Sequence, residues 1–261
     1  MTLLEVCLDD VDGAPVAEAA GADRLELCAA LGDGGITPSL GTVAAVFDRV
    51  HHVGVQVLVR QRPGDFVYSN AELEAMAADI RAIRALPRPE NVKLGFVIGA
   101  LTPAGTIDRA ATERLVAVAR DVPVTFHKAF DQTPDQLAAL DQLVDLGIER
   151  VLTSGGAASA LEGSARLAEL VAHASGRIAV LAGGGVRPDH VDALVRATGV
   201  GEASIVLASA ALGTAAPGRR WTSPTPVART SASTWSGRTP PPASTAMRPE
   251  ACATTSASSG C

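Results

Sequence analysis

Eight short apolar runs recur along residues 3–208, and amphipathic helical patterns lie between most of them. A strand followed by a helix is typical of the βαβ unit, in which successive strands lie parallel. Eight such units, each of about 25–35 residues, favour a closed (β/α)8 or TIM barrel over an open doubly wound sheet. The runs lie at 3–8, 24–28, 55–60, 93–99, 122–127, 149–153, 177–182 and 204–208.

Local signals mark the start of three of the predicted helices. Thr37-Pro38 and Thr133-Pro134 each place a capping residue and a first-turn proline before an amphipathic run. Ser69 with Glu72 three residues later is typical of a capping box. These signals predict helices that begin directly after Thr37, Ser69 and Thr133.

The composition changes sharply near residue 213. From 214 to 261, Ser, Thr, Pro, Ala and Arg dominate, and five arginines face a single acid, Glu250. Such a segment cannot bury enough apolar surface to offset its ordering entropy. We therefore predict a barrel over 1–213 that lacks a normal eighth helix. A low-complexity tail follows over 214–261, either disordered or the product of a shifted reading frame.

Charge and apolar patterning exclude several classes of partner. The formal net charge is −6, which argues against nucleic acid or an anionic membrane. No apolar run reaches the ~18 residues of a membrane span, and the N-terminus lacks the basic region of a signal peptide. The four cysteines, at 7, 28, 252 and 261, have neither CxxC spacing nor the density of a disulfide scaffold. The sequence predicts a cytoplasmic protein with reduced thiols.

Polar side chains follow the predicted strands where those strands end, which is where ligands bind in parallel barrels. His127 is the only histidine at such a position, with Thr125 and Asp131 close by in the sequence. We interpret it as a general acid or base, or as a ligand, with a purely structural role as the alternative. One candidate function is therefore an enzyme that acts on a small anionic or phosphorylated metabolite. Its candidate catalytic residues are Glu26, Arg60, Asp65 and His127.

Strand alternation places two acids and two thiols inside the barrel. Apolar residues at every other position of the first two strands face the helices, which leaves Glu5, Cys7, Glu26 and Cys28 in the lumen. Free cysteines commonly pack as small core residues, whereas an unpaired buried carboxylate is costly. The glutamates either form structural ion pairs, with Arg60 and Arg62 as the counterions, or belong to a functional site.

Three consecutive glycines follow the seventh predicted strand. Backbone amides at this position, together with the loop after the eighth strand, bind phosphate in many barrels. Alternatively, the glycines only relieve crowding. The anion site that we predict here comprises Gly183, Gly184, Gly185 and Ser209.

Six motifs together resemble the CutC family of copper homeostasis proteins, in matching order and spacing over about residues 3–210. The resemblance implies a cytoplasmic TIM barrel that forms a homodimer or higher homo-oligomer and acts in copper tolerance and binding. In that picture Cys7 and Cys28 are the Cu(I) ligands, because soft thiolates suit this ion. The motifs are Glu26–Cys28, Gly34–Ser39, Arg60–Phe66, Thr125–Asp131, Val151–Gly155 and Gly183–Gly185.

The chain also departs from the family's usual pattern. Lys128 stands where the family has Arg, and Ile205 and Leu207 stand where it has Glu and His in the last strand. Gln61 and Pro63 replace a usual Pro and Gly. We interpret the chain as a cytoplasmic copper homeostasis protein that binds copper in the barrel lumen. The enzyme acting on a small anion and a non-functional frameshifted product are the alternatives.

Overall fold

A computed structural model describes residues 2–206 of the chain. Eight parallel strands close into one barrel in the order of the sequence, and the last strand pairs with the first. The predicted TIM-barrel fold is therefore confirmed. The strands are β1 (Leu3–Leu8), β2 (Arg24–Leu27), β3 (Gly54–Leu58), β4 (Leu94–Ile98), β5 (Val124–Phe126), β6 (Arg150–Thr153), β7 (Ala179–Ala182) and β8 (Glu202–Val206).

One α-helix follows each of the first seven strands. No helix within residues 2–206 is long and apolar enough to cross a membrane. The predicted tail, the missing eighth helix and Ser209 all lie outside the described residues. The helices are α1 (Gly13–Ala19), α2 (Leu40–Phe47), α3 (Asn70–Arg84), α4 (Arg109–Ala119), α5 (Gln136–Asp145), α6 (Ser164–Ala174) and α7 (Val191–Thr198), and two short 3-10 helices span Leu31–Asp33 and Lys128–Gln132.

The helix starts agree only in part with the local sequence signals. α3 begins at the predicted capping box, in which the Ser69 hydroxyl accepts from the Glu72 N–H and the Glu72 carboxylate accepts from the Ser69 N–H. α2 begins two residues later than predicted, at a cap formed by Ser39. Thr37 instead donates to the carbonyl of Arg60 and accepts from its N–H, so it holds the loop to the end of β3. α5 likewise begins later than predicted, at Gln136, after a cap formed by Asp135.

Apolar side chains pack in two separate layers, outside and inside the barrel. Val6, Leu8, Leu25 and Leu27 belong to the large core between strands and helices. The main interior cluster is small and contains Cys7, Cys28, Leu58 and Val97. This division is the one that strand alternation predicts for β1 and β2. The barrel interior therefore contains this small cluster, which includes both thiols, and a few polar side chains.

An ionic layer, made of Glu5, Arg24, Arg150 and Glu202, lies near the amino ends of the strands. Arg24 Nε donates to Glu5 at 2.5 Å and Arg24 Nη2 donates to Glu202 at 2.7 Å. Arg150 Nε donates to the same Glu202 oxygen at 2.6 Å. Burial disfavours the charge of Glu202, but the two arginines outweigh it and lower its pKa. The layer therefore consists of mutually satisfied charges that close the barrel floor.

The expectation that Arg60 and Arg62 would be the counterions of the lumen glutamates is wrong. Arg24, at the start of β2, pairs with Glu5 instead. Arg62 pairs with Asp65 and Glu72. Because Asp65 lies in the loop after β3 and Glu72 in the first turn of α3, Arg62 organises the barrel rim and not its interior.

Candidate functional site

A cavity of about 240 Å³ opens among the carboxyl ends of the strands. We call it the barrel pocket. It brings together most of the predicted site residues, although they come from five different strand ends. Its polar and glycine lining comprises Cys7, Glu26, Cys28, Gly34, Gly35, Arg60, His127, Lys128, Gly183, Gly184 and Ser204.

Cys7 and Cys28 are free, buried neighbours that both line the barrel pocket. The Cys28 thiol donates to the carbonyl of Leu8 at 3.5 Å. A hydrogen bond with Cys28, burial and the nearby Glu26 all raise the pKa of the Cys7 thiol well above its ordinary value. Cys7 is therefore a thiol at neutral pH and must lose a proton before it can bind a soft metal.

Glu26 is a buried carboxyl beside Cys7, and the two residues face each other across β1 and β2. Burial, followed by the charge of Glu5, raises the pKa of Glu26 to about 8. The hydrogen bond from Cys7 and the charge of Arg24 oppose this shift without cancelling it. Glu26 is thus mainly protonated at neutral pH, a state in which a carboxyl can donate a hydrogen bond or a proton.

His127 caps the 3-10 helix Lys128–Gln132, and its ring is held on several sides. Its Nδ1 accepts from the Ala129 N–H at 3.1 Å. Its ring centroid lies 4.9 Å from that of Phe66 and 5.9 Å from that of Phe126. Burial and the positive charge of Arg60 lower the pKa of His127 to about 3. The imidazole is therefore neutral, and because Nδ1 is an acceptor, the proton lies on Nε2.

This arrangement of His127 suits a hydrogen-bond donor better than a general base. Its one lone pair is used by Ala129. Nε2 is buried and has no hydrogen-bond partner within residues 2–206. The ring has room only because Gly99 faces it, since a Cβ at residue 99 would lie 2.2 Å from Cε1 of His127.

Arg60 lines the pocket, but its terminal nitrogens are used by the loops of the rim. Nη1 donates to the carbonyls of Gly34 and Gly35, at 3.2 and 2.8 Å. Nη2 donates to the carbonyl of Gly64 at 3.1 Å, and the guanidinium stacks on Phe66. A Cβ at Gly35 would lie 3.6 Å from the Cys28 sulfur. Arg60 therefore holds the Gly34–Gly35 turn against one of the two thiols.

The structure does not bring Asp65 into the barrel pocket. Its side chain is 67% exposed and pairs with Arg62 at 2.9 Å. It also accepts from the N–H of Val67 at 3.2 Å, two residues along the chain. Asp65 stabilises the loop after β3 and does not face the reacting groups proposed for it.

Lys128 is a pocket residue that the sequence reasoning did not select. Its Nζ donates to the Ser154 hydroxyl at 3.0 Å and lies 3.4 Å from Asp131. Asp131 accepts from Thr153, from the N–H and hydroxyl of Ser154 and from the N–H of Gly156. These bonds fix the carboxylate, and the carboxylate in turn orients Lys128. The signal for this role was the lysine directly after the strand-end histidine.

The glycine turn after β7 contributes two of its three residues to the pocket. Gly183 and Gly184 line it, whereas Gly185 faces Ser159 outside the lining. Gly184 has a φ of +97°, and a Cβ there would lie 2.6 Å from Nζ of Lys128. A glycine at this position therefore leaves space for the lysine ammonium, which accords with the interpretation that the turn relieves crowding. Within residues 2–206, no group of three or more His, Cys, Asp or Glu side chains is placed to hold a metal ion.

Comparison with known proteins identifies the family. Residues 2–208 match the model of the CutC family. The copper homeostasis protein cutC homolog of Homo sapiens is 46% identical over 200 residues, which cover 77% of this chain and 71% of the human protein. A family protein CutC from Caulobacter vibrioides is 46% identical over 201 residues, covering 77% of this chain and 79% of the relative.

A solved structure shows the same similarity. The crystal structure of a CutC protein from Streptococcus agalactiae aligns with a TM-score of 0.72 at 33% identity, and the match covers 78% of this chain and 98% of that chain. The human relative and the Streptococcus agalactiae protein are named for copper homeostasis, which supports a role of this kind. The resemblance seen in the sequence motifs is confirmed, and the chain belongs to the CutC family.

Proposed function

We propose that this protein acts in copper homeostasis by binding Cu(I) as cargo in the barrel pocket, through the thiolates of Cys7 and Cys28. The observation that carries the proposal is the position of two free thiols, buried side by side on adjacent strands and facing one cavity. Soft thiolate sulfur is the ligand type that Cu(I) prefers among protein side chains.

The donor set supports a thiol-based site. Within residues 2–206 no larger cluster of metal-ligating side chains exists, so the pair of sulfurs is the candidate ligand set. The pKa of Cys7 is raised, which means that Cu(I) binding must release a proton. The proposal therefore predicts an affinity that increases with pH.

The test is competition for Cu(I) against a chelator of known affinity. The background variant carries Cys252→Ser and Cys261→Ser, because thiols elsewhere in the chain would also bind the ion. In this background, Cys7→Ser or Cys28→Ser should weaken Cu(I) binding at least ~10-fold, because a hydroxyl is a poor ligand for a soft metal. Val97→Thr is the matched control, since it adds a hydroxyl in the same interior cluster and leaves both thiols in place. Unchanged affinity in the Cys7→Ser/Cys28→Ser double variant would show that the thiols only pack.

A second candidate function is the enzymatic conversion of a small anionic metabolite. It is favoured by Lys128 and His127, which line the same pocket and which the thiol site does not use. The test is incubation of the protein with a mixture of small organic acids and phosphates, followed by mass spectrometry. A Lys128→Met variant is the control. If the unmodified protein consumes none of these compounds, this candidate function is wrong.

The location, the oligomeric state and the frameshift alternative rest on the sequence alone. We place the protein in the cytoplasm and expect a homodimer or higher homo-oligomer, which light scattering of the purified full chain would test. The third alternative, a non-functional frameshifted product, depends on the tail outside the described residues. The genomic reading frames downstream of codon 210 would decide it, because a genuine barrel requires an amphipathic helix there.

A further inference from the structure

The His127 ring lines the barrel pocket, and its Nε2–H is buried without an acceptor within residues 2–206. The side chain is 6% exposed. Its other nitrogen is bound to the Ala129 N–H, so the ring cannot exchange its donor for an acceptor without losing that bond. A buried donor without a partner destabilises the folded protein, so such a group needs an explanation. A ligand oxygen in the pocket would supply the missing acceptor.

Lys128 offers a positive charge to the same pocket. Two of its three N–H donors are directed to Ser154 and Asp131, which leaves one for a ligand. Asp131 does not line the pocket, and four hydrogen bonds from Thr153, Ser154 and Gly156 already satisfy it. The ammonium is therefore held in position by Ser154 and Asp131. A mobile surface lysine would lose more side-chain entropy on binding.

Glu26 is the only acidic side chain among the described residues that line the pocket, against the two cations Arg60 and Lys128. Even with Glu26 ionised, the lining carries more positive than negative charge. Three N–H groups of Arg60 are bound to loop carbonyls, and its Nε is buried. Lys128, whose side chain is 40% exposed, is therefore the more accessible cation. A volume of about 240 Å³ admits only a small molecule.

We propose that the barrel pocket recognises a small organic anion through two separate oxygens. Lys128 binds the anionic group, a carboxylate or a phosphate. Nε2 of His127 donates to an uncharged carbonyl or hydroxyl oxygen of the same molecule. The inference rests on the second candidate function only in that it requires an anionic ligand. It assigns His127 as a binding donor and not as a general base.

Four probes separate these two contacts in calorimetric titrations of the full chain. Pyruvate has both the anion and the carbonyl oxygen, propionate lacks the carbonyl oxygen, and pyruvamide lacks the charge. Inorganic phosphate tests whether the anionic group is a phosphate. The unmodified protein should bind pyruvate at least about 10-fold more tightly than propionate or pyruvamide, which corresponds to one buried hydrogen bond or one ion contact.

Each variant should lower the affinity for some probes and leave the affinity for others unchanged. His127→Phe keeps a ring beside Gly99 but removes the donor. Its affinity for pyruvate should therefore fall about 10-fold, to the affinity for propionate, and its affinity for propionate should not change. Lys128→Met should lower the affinity for pyruvate and for phosphate about 10-fold or more. Lys93→Met, which changes the other lysine of the chain, should leave both affinities unchanged. Thermal unfolding without ligand shows whether each variant is folded.

Several results would overturn the inference. These are binding of none of the anions, equal affinity of the unmodified protein for pyruvate and propionate, or equal weakening of both by His127→Phe. The comparison of probes on the unmodified protein decides the matter even if His127→Phe does not fold. Binding without turnover would count against the second candidate function and leave this inference intact. Turnover that survives in both His127→Phe and Lys128→Met would overturn this inference alone.

Discussion

Replacement of Gly99 by alanine is the most direct test of how His127 is positioned. Gly99 has an ordinary backbone conformation, so only space decides the outcome. An added Cβ would lie 2.2 Å from Cε1 and 2.4 Å from Nδ1 of His127, far inside the ~3.5–4.0 Å of a favourable carbon contact. The ring cannot simply rotate away, because Ala129 holds Nδ1 and Phe66 lies against it.

The expected loss of stability has two causes, overpacking and a lost hydrogen bond. Overpacking a buried site costs about 1–3 kcal/mol, and loss of the hydrogen bond from Ala129 to Nδ1 adds about 1 kcal/mol. We therefore expect Gly99→Ala to lower the free energy of unfolding by about 2–4 kcal/mol. For a chain of this size each kcal/mol corresponds to about 2–4 °C in Tm. Urea denaturation gives the free energy, and thermal unfolding gives the shift in Tm.

Gly54→Ala is the matched control, at the first residue of β3. The nearest atoms to its added Cβ lie at 3.6–4.0 Å, which is ordinary contact, and its φ is also ordinary. The change there should stay within about 1 kcal/mol of zero and can stabilise, because alanine restricts the unfolded chain.

A double variant separates the clash from other effects of Gly99→Ala. Combining it with His127→Ala removes the ring that the methyl group meets, so the double variant should be more stable than the sum of the single costs by about 1–3 kcal/mol. Costs that add to within ~0.5 kcal/mol, or a Gly99→Ala variant as stable as Gly54→Ala, would refute the reasoning about the ring.

Three further predictions concern buried acids, each measured by urea denaturation. Glu202→Gln removes the only carboxylate paired with Arg150 among the described residues and one of the two paired with Arg24, and it should cost about 3–5 kcal/mol. The exposed Glu113→Gln should cost less than about 1 kcal/mol, and equal costs would contradict this prediction. Burial opposes ionisation of Glu18, but the N–H groups of residues 51–53 outweigh it and lower its pKa. Its stabilisation is therefore present above the ordinary carboxyl pKa of about 4.3 and is lost as pH falls through the folded value, so Glu18→Gln should flatten the acid limb of the stability profile. Glu26, with its pKa raised to about 8, contributes stability below pH ~4.3 that is lost as pH rises through 8. Glu26→Gln should remove that decline, and an unchanged slope between pH ~4.3 and 8 would show that Glu26 does not titrate there.

The fold and the inward-facing residues could be predicted because they depend on short-range patterns. A period of two within β1 and β2 is enough to place Cys7, Glu26 and Cys28 on one face. The repeated strand–helix units then give the number of strands, and parallel pairing brings the strand ends together. His127 was selected by the same logic, as a polar residue at the end of an apolar run.

The pairing of the charges could not be predicted, because it depends on contacts between distant parts of the chain. Arg24 reaches Glu202, 178 residues away, and no local pattern indicates this partner. The prediction that Asp65 belongs to the site was wrong because of contacts close in the sequence. Its bonds to Arg62 and Val67 turn its side chain away from the pocket. The donor character of His127 depends on the Ala129 N–H, whose direction is set by the 3-10 helix.

The link between Arg24 and Glu202 has a consequence for how the chain reaches its folded state. Contacts with so large a sequence separation form slowly, because a long loop must be closed before they contribute. During synthesis β1 and β2 emerge well before β8, and until β8 arrives the free edge of β1 can pair with another chain. The buried arginine must meanwhile stay hydrated at an incomplete sheet. Folding yield should therefore depend on how quickly residues near 202 follow the rest of the barrel, and the interval before β8 pairs with β1 is the step most exposed to aggregation.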